Sequence, residues 1–211
     1  MLKASQILVS MKNDTSVCRE VNKKLLAAVL DRATICHKTA ILQQPSVKDA
    51  HMYCKIHQLS GQVSGPLIEH YIQESYHMTK NKASDCVGDV QFQGVNLEIK
   101  ASLGGKKNNQ FNYVQLRVDH VCEYLLTAYY LDQENLDNLG ELFLFRLTKE
   151  QMKPLLLQYG GYAHGTVTKL GRISHEDLSN PVNDKEYALR PKYGDKLWQA
   201  LLPFRIQEIT V

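Results

Sequence analysis

Two carboxylates and one ammonium group, those of Asp89, Glu98 and Lys100, lie close together in the sequence. Two carboxylates that meet on one surface can bind a hard divalent cation such as Mg²⁺, which prefers oxygen ligands and keeps several of its waters. A cation bound there polarises a phosphoryl oxygen and lowers the pKa of a bound water. The ammonium can orient or help to deprotonate that water, or balance the charge on the phosphorus. These side chains therefore suit hydrolysis of a phosphodiester, provided that the fold brings them together.

The segment that carries them has the pattern of a two-stranded β-hairpin. Apolar residues alternate with polar ones on both sides of a two-residue loop at 93–94, which is typical of half-buried strands. The loop ends in glycine, which tolerates the positive φ of a hairpin turn. Counting from this loop, Val90 pairs with Leu97, and Asp89 lies opposite Glu98.

This register places like charges opposite each other. The Cβ atoms of Asp89 and Glu98 would lie roughly 5 Å apart, and like charges in that position destabilise a sheet. A cation between the carboxylates removes the repulsion. Lys100 lies on the same face as Glu98, because side chains two residues apart share a face of a strand. The hairpin therefore predicts a metal site formed by Asp89 and Glu98, with Lys100 beside it.

The spacing of these residues resembles that of the PD-(D/E)XK nuclease superfamily, and the chain resembles the type II restriction endonucleases within it. Asp89 is followed, after eight residues, by Glu98-Ile99-Lys100. Upstream, residues 65–72 resemble the helix that carries an acidic residue at the active site in many members, which is Glu69 here. One position departs from the pattern, because Gly88 stands where the name of the superfamily has proline.

The resemblance extends downstream and covers roughly residues 61–150. Residues 109–117 resemble the Phe-rich segment, ending in Gln-x-Arg, that follows the Glu-x-Lys strand in several restriction enzymes. Residues 124–131 resemble the next core strand.

This resemblance implies a fold, an activity and a cofactor. The fold expected is α/β with a restriction-endonuclease-like core, in which helices flank a central mixed β-sheet. The activity expected is Mg²⁺-dependent hydrolysis of double-stranded DNA at a short specific sequence. Asp89 and Glu98 would bind the metal, and Lys100 and Glu69 would complete the catalytic set. A homodimer is expected because a two-fold dimer matches a palindromic site and cuts both strands.

Other functions remain open from the sequence. The same core occurs in repair nucleases, junction resolvases and the cleavage subunits of heteromeric restriction enzymes. A DNA-binding module without catalysis would be a different class of protein. Asp85 competes with Asp89 as a metal ligand, and Cys36-His37 with Cys54-x-x-His57 could supply zinc ligands, although this spacing matches no compact zinc module.

Charge and composition agree with a nucleic-acid-binding protein without demonstrating one. The 211 residues include 25 Lys and Arg against 22 Asp and Glu, which gives a formal charge of +3. Residues 99–118 contain no acidic side chain, so this stretch is a candidate phosphate-facing surface. The side chains that we expect to contact DNA are Lys106, Lys107, Asn108, Asn109, Gln115, Arg117, His164, Thr166, Arg190 and Lys192.

The chain is expected to be a single nuclease domain with three parts. These are an N-terminal helical part at 1–60, a catalytic core at 61–150, and a C-terminal part at 151–211 for recognition and dimerisation. The five cysteines form no tight framework, and neither a signal peptide nor a membrane span is evident. A cytoplasmic protein of a prokaryote, without a membrane partner, is therefore expected.

Overall fold

The computed structural model describes residues 15–104, 109–132, 139–163, 172–179 and 186–210. The chain divides into two compact units, with the boundary between residues 40 and 41. This boundary falls inside the predicted N-terminal helical part.

Six α-helices are described. They are α1 (Thr15–Ile41), α2 (Val47–Ile56), α3 (Gly61–Ser75), α4 (Lys149–Tyr159), α5 (His175–Ser179) and α6 (Lys196–Leu201). Short 3₁₀ helices occupy Ala83–Asp85 and Leu202–Phe204. In the part of the chain that the structure describes, no helix has the length and apolar character needed to cross a membrane.

The strands form two sheets. They are β1 (Thr79–Lys80), β2 (Val90–Phe92), β3 (Val95–Ser102), β4 (Tyr113–Leu116), β5 (Glu123–Tyr130), β6 (Glu141–Leu147), β7 (Gly161–Tyr162), β8 (Tyr187–Leu189) and β9 (Arg205–Ile206). The larger sheet has the order β1-β2-β3-β5-β6-β9, and β3–β5 is its parallel pair among antiparallel ones. The smaller sheet has the order β4-β8-β7. The fold is thus α/β with a mixed central sheet, as expected.

Strand β5 shows why helices cover both faces of this sheet. Its residues from Tyr124 to Tyr129 are all buried, which is the pattern of a central strand without a solvent face. Leu125 and Tyr129 pack into one apolar cluster with residues of α2 and α3. Leu126 and Ala128 pack into the other, with residues of α4 and α6.

Helix α3 begins earlier than its proline suggested. Pro66 has the fixed φ that favours a first helical turn, but α3 begins at Gly61 and contains Pro66 in its interior. Pro66 therefore does not mark the start of the helix, although its preference for a first turn predicts that it would. The buried stripe that includes Leu67, Ile68 and Tyr71 holds the helix against the sheet in spite of the backbone hydrogen bond that proline cannot donate.

Residues 113–116 form a strand that the local sequence does not predict. Tyr113 and Leu116 are fully buried and pair with Leu189 and Tyr187 of β8, with a shift in register between them. Gln115 has φ +58°, which is outside the helical region. Pairing with a strand more than 70 residues away along the chain outweighs the local preference here.

A buried histidine links α2 to the central sheet. Both ring nitrogens of His51 have partners: the Val47 carbonyl lies 2.7 Å from Nδ1, and the Thr127 hydroxyl lies 2.9 Å from Nε2. Because a carbonyl can only accept, Nδ1 donates, and Nε2 accepts from Thr127. Burial lowers the pKa of His51 to about 4, although the Val47 carbonyl acts in the other direction. The imidazole is therefore neutral in the folded protein.

We expect His51 to make folding stability sensitive to acid. The unfolded imidazole gains a proton near its ordinary pKa of 6.5, whereas the folded one does so near 4. Stability is therefore lost as pH falls from about 6.5 to 4, by up to about 3 kcal/mol. Denaturant unfolding of the wild type and of His51→Gln across this range measures the effect. The variant serves as the control because it retains all the other titrating groups. If the free energies of unfolding of the two proteins changed with pH in parallel, the assignment would be contradicted.

Candidate active site

The hairpin has the register that the sequence predicted. Strands β2 and β3 are antiparallel, with Val90 opposite Leu97 and Phe92 opposite Val95. Gly94 adopts φ +85° in the turn. The inward and outward faces of both strands are therefore as expected, and Glu98 and Lys100 lie on one face.

Asp89 directly precedes β2 and is fixed by both its backbone and its side chain. Its N–H donates to the Leu97 carbonyl at 2.9 Å. One of its carboxylate oxygens accepts the N–H of Ile99, also at 2.9 Å. The carboxylate therefore takes the place of a backbone carbonyl in the ladder, and this holds Asp89 beside β3.

The residue before Asp89 must be glycine in this backbone. Gly88 has φ +85°, and a Cβ atom there would lie 2.8 Å from the Leu97 carbonyl oxygen and 2.9 Å from Cys122 Cβ. Proline, whose φ is fixed near −65°, cannot adopt this conformation. The glycine that departs from the superfamily pattern is thus required by the close approach of this loop to β3.

A lysine ammonium lies between the two carboxylates. Lys100 Nζ lies 2.7 Å from Glu98 Oε1 and 3.7 Å from Asp89 Oδ2. Glu98 is almost completely buried, with 1% of its side chain exposed, whereas 42% of the Asp89 side chain is exposed. The repulsion expected between these carboxylates is therefore offset by a cation that the protein itself supplies.

These contacts keep Lys100 protonated. Burial by itself lowers the pKa of the ammonium, but the carboxylates of Glu98, Asp89 and Glu69 act in the opposite direction and together raise it. In this arrangement Lys100 is a fixed positive charge.

Helix α3 brings Glu69 to the same place. Its carboxylate accepts a hydrogen bond from the backbone of Ala101, which follows Lys100 in β3. Burial raises the pKa of Glu69 to about 7, the Lys100 ammonium opposes this, and the carboxylates of Asp89 and Glu98 reinforce it. The group therefore exchanges its proton near neutral pH, which few carboxyl groups do.

A cleft of about 750 Å³ opens beside Glu69 and Lys100. Its walls come from residues 59–66 at the beginning of α3, from 100–104 at the end of β3, and from 110–115 around β4. Glu69 and Lys100 are the charged members of this lining within the described residues. Polar, uncharged side chains make up much of the remainder, among them Gln110, Asn112 and Gln115.

Two segments predicted to contact DNA meet next to this cleft. Gln110 pairs with Lys192 in an isolated antiparallel bridge. The Tyr193 N–H donates to the Asn109 carbonyl, and the Phe111 N–H donates to the Pro191 carbonyl. Residues about 80 positions apart along the chain therefore form one edge.

The individual side chains predicted to contact DNA have different environments. Gln115 lines the cleft, and Lys192 is exposed. Arg117 is engaged with Glu186 at 2.6 Å, and Arg190 donates to the carbonyls of Tyr162 and Ala163 at 3.4 Å. Lys106, Lys107, Asn108, His164 and Thr166 lie outside the described residues.

The competing metal ligands have environments that differ from that of Asp89. Asp85 lies in a 3₁₀ helix, is exposed and accepts a hydrogen bond from Ser84. It is therefore not in a strand opposite Ser102, as continuing the hairpin register would require. Cys54 is buried, which raises the pKa of its thiol to about 12 and leaves it a poor zinc ligand.

One residue near the site had no signal in the sequence. His120 lies in the loop before β5, and its Nδ1 is 3.7 Å from Glu98 Oε2. Both atoms are buried and lack a hydrogen-bond partner among the described residues. A histidine 22 positions after Glu98 follows no local pattern, so only the folded chain places the two side by side.

Comparison with protein-family models, with curated proteins and with solved structures found no match to this chain. The function must therefore be inferred from the geometry of the site.

We expect Gly88→Ala to destabilise the protein more than Gly94→Ala does. Both glycines have φ +85°, but a Cβ atom at Gly94 meets nothing within 4 Å. Gly94→Ala should cost about 1–2 kcal/mol for the left-handed backbone alone. Gly88→Ala should cost about 1–3 kcal/mol more for the overlap with β3. Denaturant unfolding measures both values, and equal losses would mean that the loop at Gly88 packs less closely against β3.

Proposed function

We propose that this protein is a Mg²⁺-dependent endonuclease that hydrolyses phosphodiester bonds in double-stranded DNA at a short specific sequence, as type II restriction endonucleases do. The observation that carries this proposal is the convergence of Asp89, Glu98 and Lys100 on one face of the hairpin. Glu69 joins them from α3 at the margin of a cleft.

The donor set fits a hard divalent cation. Carboxylates from Asp89 and Glu98 already converge on one positive charge, that of the Lys100 ammonium. Mg²⁺ takes one or two carboxylates and keeps several waters, which these residues can satisfy. When bound, the ion would polarise a phosphoryl oxygen and lower the pKa of a bound water.

Lys100 and Glu69 would have different roles. A raised pKa means that the Lys100 ammonium holds its proton, so it would stabilise negative charge on the phosphate rather than act as a base. The pKa of Glu69, about 7, is suited to accepting a proton from an attacking water at neutral pH. Proton transfer is thus assigned to Glu69, whereas the sequence alone suggested Lys100.

The cleft supplies groups that can read bases. Amide side chains, such as those of Asn112 and Gln115, can form paired hydrogen bonds with adenine in the major groove. Lys192, on the neighbouring segment, is free to approach a phosphate or a guanine. A second copy of the chain, related by a two-fold axis, would allow both strands of a palindromic site to be cut.

Substitution of the metal-binding carboxylates should abolish cleavage. We expect Asp89→Asn and Glu98→Gln each to slow cleavage of supercoiled plasmid in Mg²⁺ by about a thousandfold or more, because several kcal/mol of charge stabilisation depend on the metal. Asp85→Asn is the matched control, since Asp85 is an exposed aspartate in the preceding 3₁₀ helix, and it should cut at the wild-type rate.

The outcomes of this experiment are distinct. Near-normal cleavage by Asp89→Asn would remove Asp89 from the site, and loss of cleavage in Asp85→Asn would replace it with Asp85. A wild-type protein that binds DNA but does not cut it in Mg²⁺ would be a binding module. Mapping the fragment ends then separates a sequence-specific enzyme from a repair nuclease or a resolvase, whose cuts follow DNA structure.

Calcium should separate binding from catalysis. Ca²⁺ can occupy a carboxylate site, but it is larger, more loosely coordinated and a poorer activator of water than Mg²⁺. We expect Ca²⁺ to support DNA binding, measured by fluorescence anisotropy, without cleavage. EDTA should abolish metal-dependent binding, and equal cleavage rates in Ca²⁺ and Mg²⁺ would contradict the proposed role of the metal.

A further inference from the structure

A second group of metal-binding side chains lies beside the other oxygen of Glu98. Cys86, Asp119 and His120 each offer one ligand atom, and these three atoms lie within 4.8 Å of one another. The group combines a thiol, a carboxylate and an imidazole, so it differs in chemistry from the all-oxygen pair of Asp89 and Glu98.

The backbone holds the two loops that carry these residues together. Cys86 ends a 3₁₀ helix in the left-handed conformation, with φ +50°. Its carbonyl accepts the N–H of Val121 at 2.9 Å, which joins this loop to the one that carries Asp119 and His120. Cys86 itself is exposed, and its thiol makes one long contact, 4.0 Å, with the Ser84 carbonyl. The thiol is therefore free to turn towards an incoming ion.

The strongest indication of a ligand here is a pair of buried polar atoms. His120 is 9% exposed, and its Nδ1 has no hydrogen-bond partner among the described residues. The nearest carboxylate oxygen, Glu98 Oε2, is 3.7 Å away and also lacks a partner within them. This separation is too long for a hydrogen bond, and leaving two such groups unpaired is costly. An ion bound by His120 would supply a partner on this side of Glu98, where Lys100, which contacts Oε1, does not reach.

We infer that Cys86, Asp119 and His120 bind one transition-metal ion of the zinc class, with Glu98 next to the bound imidazole. Thiolate and imidazole ligands select Zn²⁺ and its neighbours over Mg²⁺. At zinc–ligand distances of about 2.0–2.3 Å, tetrahedral ligand atoms lie about 3.5 Å apart, so the group must close by roughly 1 Å from its present spread. Rotation of the exposed Cys86 side chain can provide this closure.

Such an ion would hold the loop before Asp89 against the loop before β5. It would also place a positive charge beside Glu98 on the side away from Lys100. A carboxylate that accepts a hydrogen bond from a metal-bound histidine commonly fixes its orientation, and its loss weakens metal binding about 10–100-fold. Metal binding would have to draw His120 Nδ1 and Glu98 Oε2 closer than their present 3.7 Å to form this bond. Glu98 would then belong to the surroundings of two cation sites. The inference does not depend on the proposed nuclease activity, because it is tested by metal binding alone.

Cobalt provides the test, because a Co²⁺–thiolate bond gives a charge-transfer absorption in the near ultraviolet. The full-length protein, reduced with a non-thiol reductant, is titrated with Co²⁺ and then with Zn²⁺. We expect one equivalent of Co²⁺ to produce the band and Zn²⁺ to displace it. Cys86→Ser should abolish the band, whereas Cys36→Ser, which changes another exposed cysteine, should leave it intact.

Two further variants make the result independent of Cys86. Asp119→Asn changes a residue on the other loop and should weaken Co²⁺ binding at least tenfold. Glu98→Gln should weaken Co²⁺ binding about 10–100-fold. Far-ultraviolet circular dichroism confirms that each variant is folded. Absence of the band in the wild type, its persistence in Cys86→Ser, or its loss in Cys36→Ser would each overturn the inference. Plasmid cleavage in Mg²⁺ is measured separately, so failure of either proposal leaves the other standing.

Discussion

The buried carboxylate of Glu98 is the constraint on which this site depends. A carboxylate with 1% of its side chain exposed, in a strand with neighbours on both sides, is costly to bury unless a compensating charge lies beside it. Lys100, on the same strand, provides that charge, and its Nζ lies 2.7 Å from Glu98 Oε1. Removal of Lys100 would leave the Glu98 carboxylate buried without its nearest cation. The pair therefore constrains where β2, α3 and the loop before β5 can lie, because each of them brings a polar group to it.

The arrangement also explains the raised pKa of Glu69. Asp89 is half exposed and is tied to the Ile99 N–H, whereas Glu69 is withdrawn from solvent and faces two other carboxylates. Burial and repulsion from these carboxylates raise the pKa of Glu69 to about 7. Glu69 therefore exchanges its proton near neutral pH, which an exposed carboxyl group would not do.

The sequence was sufficient to predict the hairpin, because its register follows from alternation and a two-residue turn. The strands β5 and β6 could be predicted equally well, since both are long apolar runs between polar segments. The strand at 113–116 could not be predicted, because its partner β8 lies far away along the chain and the local sequence gives no sign of that pairing. The same reason applies to His120, which reaches Glu98 only through the parallel pairing of β3 with β5.

The backbone explains why the sequence has glycine at position 88. This residue departs from the superfamily pattern, and its φ of +85° is one that proline cannot adopt. The loop before Asp89 therefore has a backbone conformation that a proline at position 88 would not allow.

The pairing of β4 with β8 has a consequence for the order in which the protein folds. Local contacts form first, so the hairpin of β2 and β3 can close as soon as its residues are available. The wall of the cleft at 110–115 is different, because it is anchored by residues 187–192, which a ribosome produces much later. During synthesis the charged residues would therefore assemble well before the surface beside them. A growing chain would carry a formed β2–β3 hairpin next to an unfinished cleft wall, and this wall would be completed only when β8 joins its sheet.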